Sequence, residues 1–247
     1  MLRNPFFQVA MWTLGIGAAL TVIVLNAGWL PAVASDEAGK IDTFYDILAV
    51  ISCFIFGLVS AIMIVSVIHF RRRHGDMSDG EPIHGNSRLE VLWTSIPTAL
   101  MVGAAVAGAL LLHDIEEPQA STQTVRVQAQ QFAWTFEYPQ GFRANELHLV
   151  EGTPYYFKMN TGDVIHSFWV PEFRMKKDAV PGITTTVRVT PTRKGKYAVV
   201  CAELCGLGHS TMRAPVVVED QQSFDRWAAQ ARKDQSTVGG QSEPSFK

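Results

Sequence analysis

The sequence predicts a membrane-anchored all-β protein: an N-terminal transmembrane helical hairpin, preceded by a signal peptide or an additional helix, then an antiparallel β-sandwich or barrel. Three observations predict this class. Three long apolar runs lie within the first 113 of 247 residues. Most of the charged side chains, 18% of the chain in all, fall after residue 113. From Gln119 onward the pattern changes to short alternating runs punctuated by glycine, the period-2 signature of half-buried strands. A wholly soluble protein is excluded. So is a nucleic-acid footprint, because the formal net charge is only -2 and acidic and basic residues balance beyond Asp114.

The first element, residues 1–34, has two readings. The apolar run Phe6 to Leu30 follows Arg3 and precedes Ala32-Val33-Ala34-Ser35, which has the small-x-small form of a signal-peptidase site. Its length equally suits a retained transmembrane helix, and both readings stand at this level.

Residues 35–118 form the hairpin. Ile47 to Phe70 and Val91 to Leu112 are uncharged runs of about 24 and about 22 residues, and at 1.5 Å per residue each covers a hydrocarbon core of roughly 30 Å. Pro31 to Asp46 reads as a linker. The loop between the spans carries Arg71, Arg72, Arg73 and Arg88, whereas the linker has only Lys40. The loop is therefore cytoplasmic and everything past about His113 is extracytoplasmic and oxidising.

Residues 119–220 read as the β domain, with strands at 124–128, 146–150, 155–159, 186–189, 197–200 and 215–218. Residues 221–247 read as a short helix over 224–229 and a polar tail, disordered from Asp234.

Candidate chemistry concentrates in the loop Cys201-Ala202-Glu203-Leu204-Cys205-Gly206-Leu207-Gly208-His209-Ser210-Thr211-Met212, with His166 supplied from a strand end. Two thiols, two imidazoles and a thioether form a soft donor set that suits copper or zinc and argues against calcium or magnesium. Zinc has no use for the thioether of Met212, which favours copper. A single blue-copper ion needs one cysteine, so the second is surplus unless it bridges a second metal. Taken singly, the residues have plainer readings: a Cys201–Cys205 disulfide, a core methionine, a core histidine. A disulfide leaves unexplained why His209 and Met212 share the loop, whose Gly206 and Gly208 permit tight turns. Cys53, inside the first span, reads as a small packing residue.

This loop, with Asp163-Val164-Ile165-His166-Ser167 and Asp178-Ala179-Val180-Pro181-Gly182, closely resembles subunit II of haem-copper cytochrome c oxidase, over a region from about Phe44 to Trp227. The resemblance implies a cupredoxin-like domain holding the dinuclear CuA centre. Cys201 and Cys205 would be bridging thiolates, His166 and His209 terminal imidazoles, Met212 a weak ligand, and the Glu203 carbonyl the remaining one. The Glu203 carboxylate would also reach a magnesium ion at the contact with subunit I. Implied partners are the haem-bearing subunit I, subunit III, cytochrome c as electron donor, and membrane lipid, in a bacterial plasma membrane; no nucleic acid is implied.

Two further segments extend the resemblance. The one from His84 to Pro97 is like the family's second-helix start, which places Glu90 at the cytoplasmic mouth of a proton pathway; an ionisable residue there is a functional candidate, and a helix-start glutamate favoured by the dipole is the plainer reading. The segment Gln131 to Tyr138 is like the aromatic stretch that receives electrons from cytochrome c, with Phe132 where many members have tryptophan and Trp134 as the next aromatic.

The function expected is thus the electron-input subunit of a proton-pumping terminal oxidase. A membrane-tethered copper electron carrier outside an oxidase is the alternative, and it needs neither a second span nor Glu90. Copper delivery is disfavoured because delivery requires exposed, exchangeable ligands. A quinol oxidase subunit would not need the copper ligands.

Overall fold

The computed structural model describes residues 4–72, 74–117 and 122–238. The chain folds as two compact units. One is Met1–Trp29 with Asp42–Leu111; the other is Leu30–Ile41 with Leu112–Lys247.

The first unit is helical. Helix α1, Pro5–Asn26, starts at Asn4, whose side chain accepts from the Phe6 N–H at 2.9 Å, with proline at the first turn. Helix α2 spans Asp36–Phe70 and α3 spans Ser87–Glu116. All three are long and apolar enough to cross a membrane. The expected linker Pro31 to Asp46 is corrected here, since α2 begins at Asp36. Ser35 caps it by accepting from the Ala38 N–H at 3.0 Å, and Asp36 and Glu37 fill the first turn where the helix dipole favours acid. Helix α3 is capped by Asn86, whose side-chain oxygen accepts from the N–H groups of Arg88 and Leu89.

The second unit contains two five-stranded sheets. Strands β1 (Gln123–Gln130), β2 (Ala133–Glu137), β3 (Arg143–Ala144), β5 (Tyr155–Thr161) and β8 (Thr185–Val189) form one in the order β3-β2-β1-β5-β8. Strands β4 (Leu147–Val150), β6 (His166–Val170), β7 (Met175–Ala179), β9 (Gly195–Cys201) and β10 (Arg213–Glu219) form the other in the order β4-β10-β9-β6-β7. The expectation of a purely antiparallel domain is corrected: β1 pairs with β5, and β4 with β10, in parallel. Alternate side chains face inward, so Val125, Val127, Phe157, Met159, Leu147, Leu149, Phe168, Val170, Val216 and Val218 fill one core.

Helix α4, Gln221–Val238, closes that core with Phe224 and Ala228, while Trp227 stacks on His148 at 3.8 Å between ring centroids. It is longer than the expected 224–229, and Asp234 to Val238 is helical where disorder was expected. The remainder of that tail and the expected domain boundary at residues 118 and 119 lie outside the described residues.

Candidate metal centre

Strand β9 ends on Cys201, and its neighbour β6 begins on His166. The two strands are antiparallel, with Phe168 opposite Cys201, so the register brings the imidazole to the mouth of the Cys201–Met212 loop. The loop folds back on itself: the Cys201 N–H donates to the Met212 carbonyl at 3.1 Å, and the Ala202 N–H donates to the Ser167 carbonyl at 3.0 Å. A 3-10 turn over His209–Thr211 then returns the chain to β10. Its geometry is fixed by the Met212 N–H donating to the His209 carbonyl at 3.2 Å.

Five donor side chains converge there. The Cys201 and Cys205 sulfurs are 3.8 Å apart, far beyond the roughly 2.05 Å of a disulfide, and both cysteines are free. Cys201 Sγ lies 4.0 Å from His166 Nδ1 and donates to the Glu203 carbonyl oxygen at 3.2 Å. Cys205 Sγ lies 3.7 Å from His209 Nδ1 and 3.8 Å from Met212 Sδ. His166 and Met212 are fully buried and the two cysteines are 3% exposed. The donor set fits soft metal. Two sulfurs at this separation let an ion on either side of the line between them contact both with bonds of roughly 2.3 Å, and each side has an imidazole within reach. His166, Cys201 and Cys205 alone place their ligand atoms within 4.8 Å of one another.

Protonation competes with metal loading at Cys205. Burial, together with the adjacent Cys201 thiol, pushes the Cys205 thiol up to about 11. The empty site therefore holds that proton at neutral pH, and metal loading must expel it.

Asp163 holds His166 in place. Its carboxylate meets His166 Nε2 at 2.9 Å and accepts from the Thr161 hydroxyl, the Gln131 N–H and the Val164 N–H. Burial alone would raise this carboxyl. The hydrogen bonds from Thr161, His166, Gln131 and Val164 outweigh it and hold the group well below the usual carboxylate range. A carboxylate on Nε2 leaves Nδ1 free to face the metal. Sequence reasoning quoted Asp163 without giving it a role; the signal was its position three residues before His166, where a turn can fold the carboxylate back onto the ring.

The aromatic candidates separate. Trp134 is buried, edge-on to His166 and to Phe168 with ring centroids 6.2 and 5.9 Å away. Phe132 is 40% exposed and covers the ligand loop. A Cβ on Gly208 would lie 2.5 Å from the Phe132 ring, and one on Gly206 would lie 2.9 Å from Gln131 Nε2. Gly206 also holds φ 135°, outside the range of ordinary side chains. Gln131 completes the contact by donating from Nε2 to the Cys205 carbonyl at 2.6 Å.

Two predicted residues lie apart from the cluster's donor atoms. The Glu203 side chain is exposed, and only its carbonyl faces Cys201. Glu90 is exposed in the first turn of α3, where its Oε1 accepts from the Asn86 N–H at 3.3 Å, a capping contact.

Comparison with known proteins gives concordant results for both units. The family described as cytochrome C oxidase subunit II, transmembrane domain, matches residues 21–109, and that described as cytochrome C oxidase subunit II, periplasmic domain, matches residues 142–221. The chain is 34% identical to cytochrome c oxidase subunit 2 of Thermostichus vulcanus, over 90% of this chain and 85% of that one. It is 31% identical to the alternative cytochrome c oxidase subunit 2 of Bradyrhizobium diazoefficiens, over 89% of each. Among solved structures, the periplasmic domain of subunit II of cytochrome oxidase from Bradyrhizobium japonicum aligns with a TM-score of 0.45 at 25% identity, covering 47% of this chain and 97% of that one.

Proposed function

Because the chain belongs to the cytochrome c oxidase subunit II family, we propose that it is the electron-input subunit of a membrane-bound haem-copper terminal oxidase, and that its ligand loop holds a dinuclear copper centre of the CuA type. The observation that carries this reading is the convergence of both cysteine sulfurs with His166, His209 and Met212 in one cluster, buried except at the partly exposed His209.

The residues divide the work as follows. Cys201 and Cys205 as thiolates, with His166 and His209 through Nδ1, would hold the copper, and the Met212 thioether and Glu203 carbonyl would be its weaker ligands. When bound, the copper would supply one-electron transfer between cytochrome c and the haem of subunit I, the site of oxygen reduction. Asp163 fixes the His166 ring, and the loop's backbone hydrogen bonds hold the sulfurs. Little nuclear rearrangement then accompanies the change of charge, and the buried setting excludes water from the ligands. Phe132 is the surface group where electrons arrive, since it alone of the two aromatic candidates is exposed and lies over the loop; Trp134 packs behind His166.

Four assignments rest on the family resemblance together with placement. The exposed Glu203 carboxylate would offer one oxygen to a magnesium ion at the contact with subunit I, a hard cation that needs several oxygens. Glu90, at the start of α3, stands at the cytoplasmic mouth of a proton pathway. Subunit III completes the assembly, and the β unit works on the extracytoplasmic side.

The test is reduction by cytochrome c in the intact complex. Removing copper by Cys201→Ala should abolish rapid electron uptake from reduced cytochrome c while leaving the haem content of the complex unchanged. Wild-type uptake rates in a copper-free complex would overturn the proposal.

A further inference from the structure

The segment between α1 and α2 carries the small-x-small pattern of a processing site; Ala32 and Val33 are exposed, yet from Ala34 onward the chain is among the most deeply buried parts of the β unit. Ala34, Glu37 and Ala38 are fully buried and Ser35 is 1% exposed. The Ala34 N–H donates to the Glu172 carbonyl at 3.0 Å, and the Ala34 carbonyl accepts from the Thr192 N–H at 2.9 Å. The Ser35 hydroxyl donates to the Phe173 carbonyl at 3.1 Å while accepting from the Ala38 N–H, and the Asp36 N–H donates to the Thr190 carbonyl at 3.0 Å. Glu37 accepts from the Thr190 N–H at 2.9 Å and from its hydroxyl at 3.2 Å, and faces Arg188 Nε at 3.6 Å. Arg188 is itself buried and donates from Nη2 to the Asp114 carbonyl at 3.0 Å.

A second, independent observation lies in the helical unit. A Cβ on Gly57 of α2 would sit 2.9 Å from the Thr13 carbonyl and 3.1 Å from the Gly17 nitrogen of α1, and one on Gly17 would sit 2.6 Å from the Phe54 ring. The two helix backbones meet at this point, which is how membrane helices pack when small residues allow close approach. Cys53, Gly57, Ala61 and Val65, spaced four apart, form a buried stripe on α2 around this contact.

We infer that the segment from Ala34 to Ala38 is a structural strap of the β unit and that the Ala34–Ser35 bond is not a cleavage site, so that residues 1–34 stay in the mature chain and α1 is a permanent membrane helix. Cutting the Ala34–Ser35 bond would place a charged amine on a residue with almost no access to water, and would release the backbone ties to Glu172 and Thr192. A charge in so dry a site is strongly disfavoured. A leader peptide that departs has no use for a surface matched to α2. The strap is independent of the copper assignment, because its hydrogen-bond partners are Glu172, Phe173, Thr190 and Thr192, none of them a proposed metal ligand.

Intact-mass measurement of the full chain, purified from membranes within its complex, tests the inference. The expected mass corresponds to a terminus upstream of Pro5; a terminus at Ser35, or anywhere beyond Pro5, overturns it. Ala34→Leu separates the two readings further, since leucine at that position blocks signal peptidase. A strap predicts an unchanged terminus and a lower thermal midpoint for the β unit. Cleavage predicts that the variant gains the mass of residues 1–34. Ser35→Ala, which keeps a small residue and removes both hydroxyl hydrogen bonds, should also lower the midpoint; an unchanged midpoint would show that the segment is not structural. The mass readout does not depend on copper, so it can fail while the copper centre stands, and the reverse.

Discussion

The helical unit and the β unit use the same amino acids by different rules. On α2 and α3, large apolar side chains point away from the protein, with Met63 64%, Val67 67% and Met101 72% exposed, as suits surfaces that meet hydrocarbon or neighbouring membrane subunits. In the β unit the strand-borne apolar groups largely turn inward and the reactive atoms are enclosed with them: His166 and Met212 have no exposure at all. Composition suffices for the first unit, because any residue of adequate hydropathy serves on an outward face. In the second, single atoms are held at distances that a metal must find ready.

The difference predicts a graded response to substitution. Cys205→Ser, which removes one of the two sulfurs proposed to hold copper, should have the largest effect: copper per chain falls from two to one or none by metal analysis. Full retention of two coppers would erase the contrast between the units. Asp163→Asn keeps every ligand and alters only the group behind His166, so copper should remain at high concentration but bind about 10–100-fold more weakly in competition with a chelator. Gly208→Ala pushes a methyl group into the Phe132 ring and should cost about 1–3 kcal/mol in denaturation of the protein. Adding Phe132→Ala to that variant should recover much of the loss, since the clash has one identified partner. The smallest effect belongs to the helical unit. Met101→Leu on an outward face should shift stability by less than about 0.5 kcal/mol, and a larger change would reveal a specific neighbour on that face.

What the sequence discloses follows the same division. The helices were legible from length and hydropathy, although the start of α2 was not: Asp36, Glu37 and Lys40 look like a polar linker. They are accommodated because Glu37 is satisfied by Thr190 and Arg188, and Lys40 pairs with Asp36 and Asp114. No periodicity shows those partners, which for Asp114 and Thr190 lie far along the chain. Strands with clear alternation, such as 155–159 and 215–218, were legible. The parallel pairings of β1 with β5 and of β4 with β10 were not, because residue pattern fixes which face is buried but not which strand lies alongside. At the metal centre the donor types were visible in twelve consecutive residues plus His166. The support was hidden: Asp163 acts through a turn, Gln131 through the Cys205 carbonyl, and Phe132 through the absence of side chains at Gly206 and Gly208. Such contacts are properties of the folded register.

Two buried sulfurs, two imidazoles and a thioether are proposed to hold a pair of coppers that share one electron. Copper analysis combined with electron paramagnetic resonance on the full chain tests it most directly. The account predicts two coppers per chain and, in the half-reduced centre, a spin delocalised equally over both nuclei. One copper per chain, or two coppers with the spin localised on a single nucleus, would contradict it.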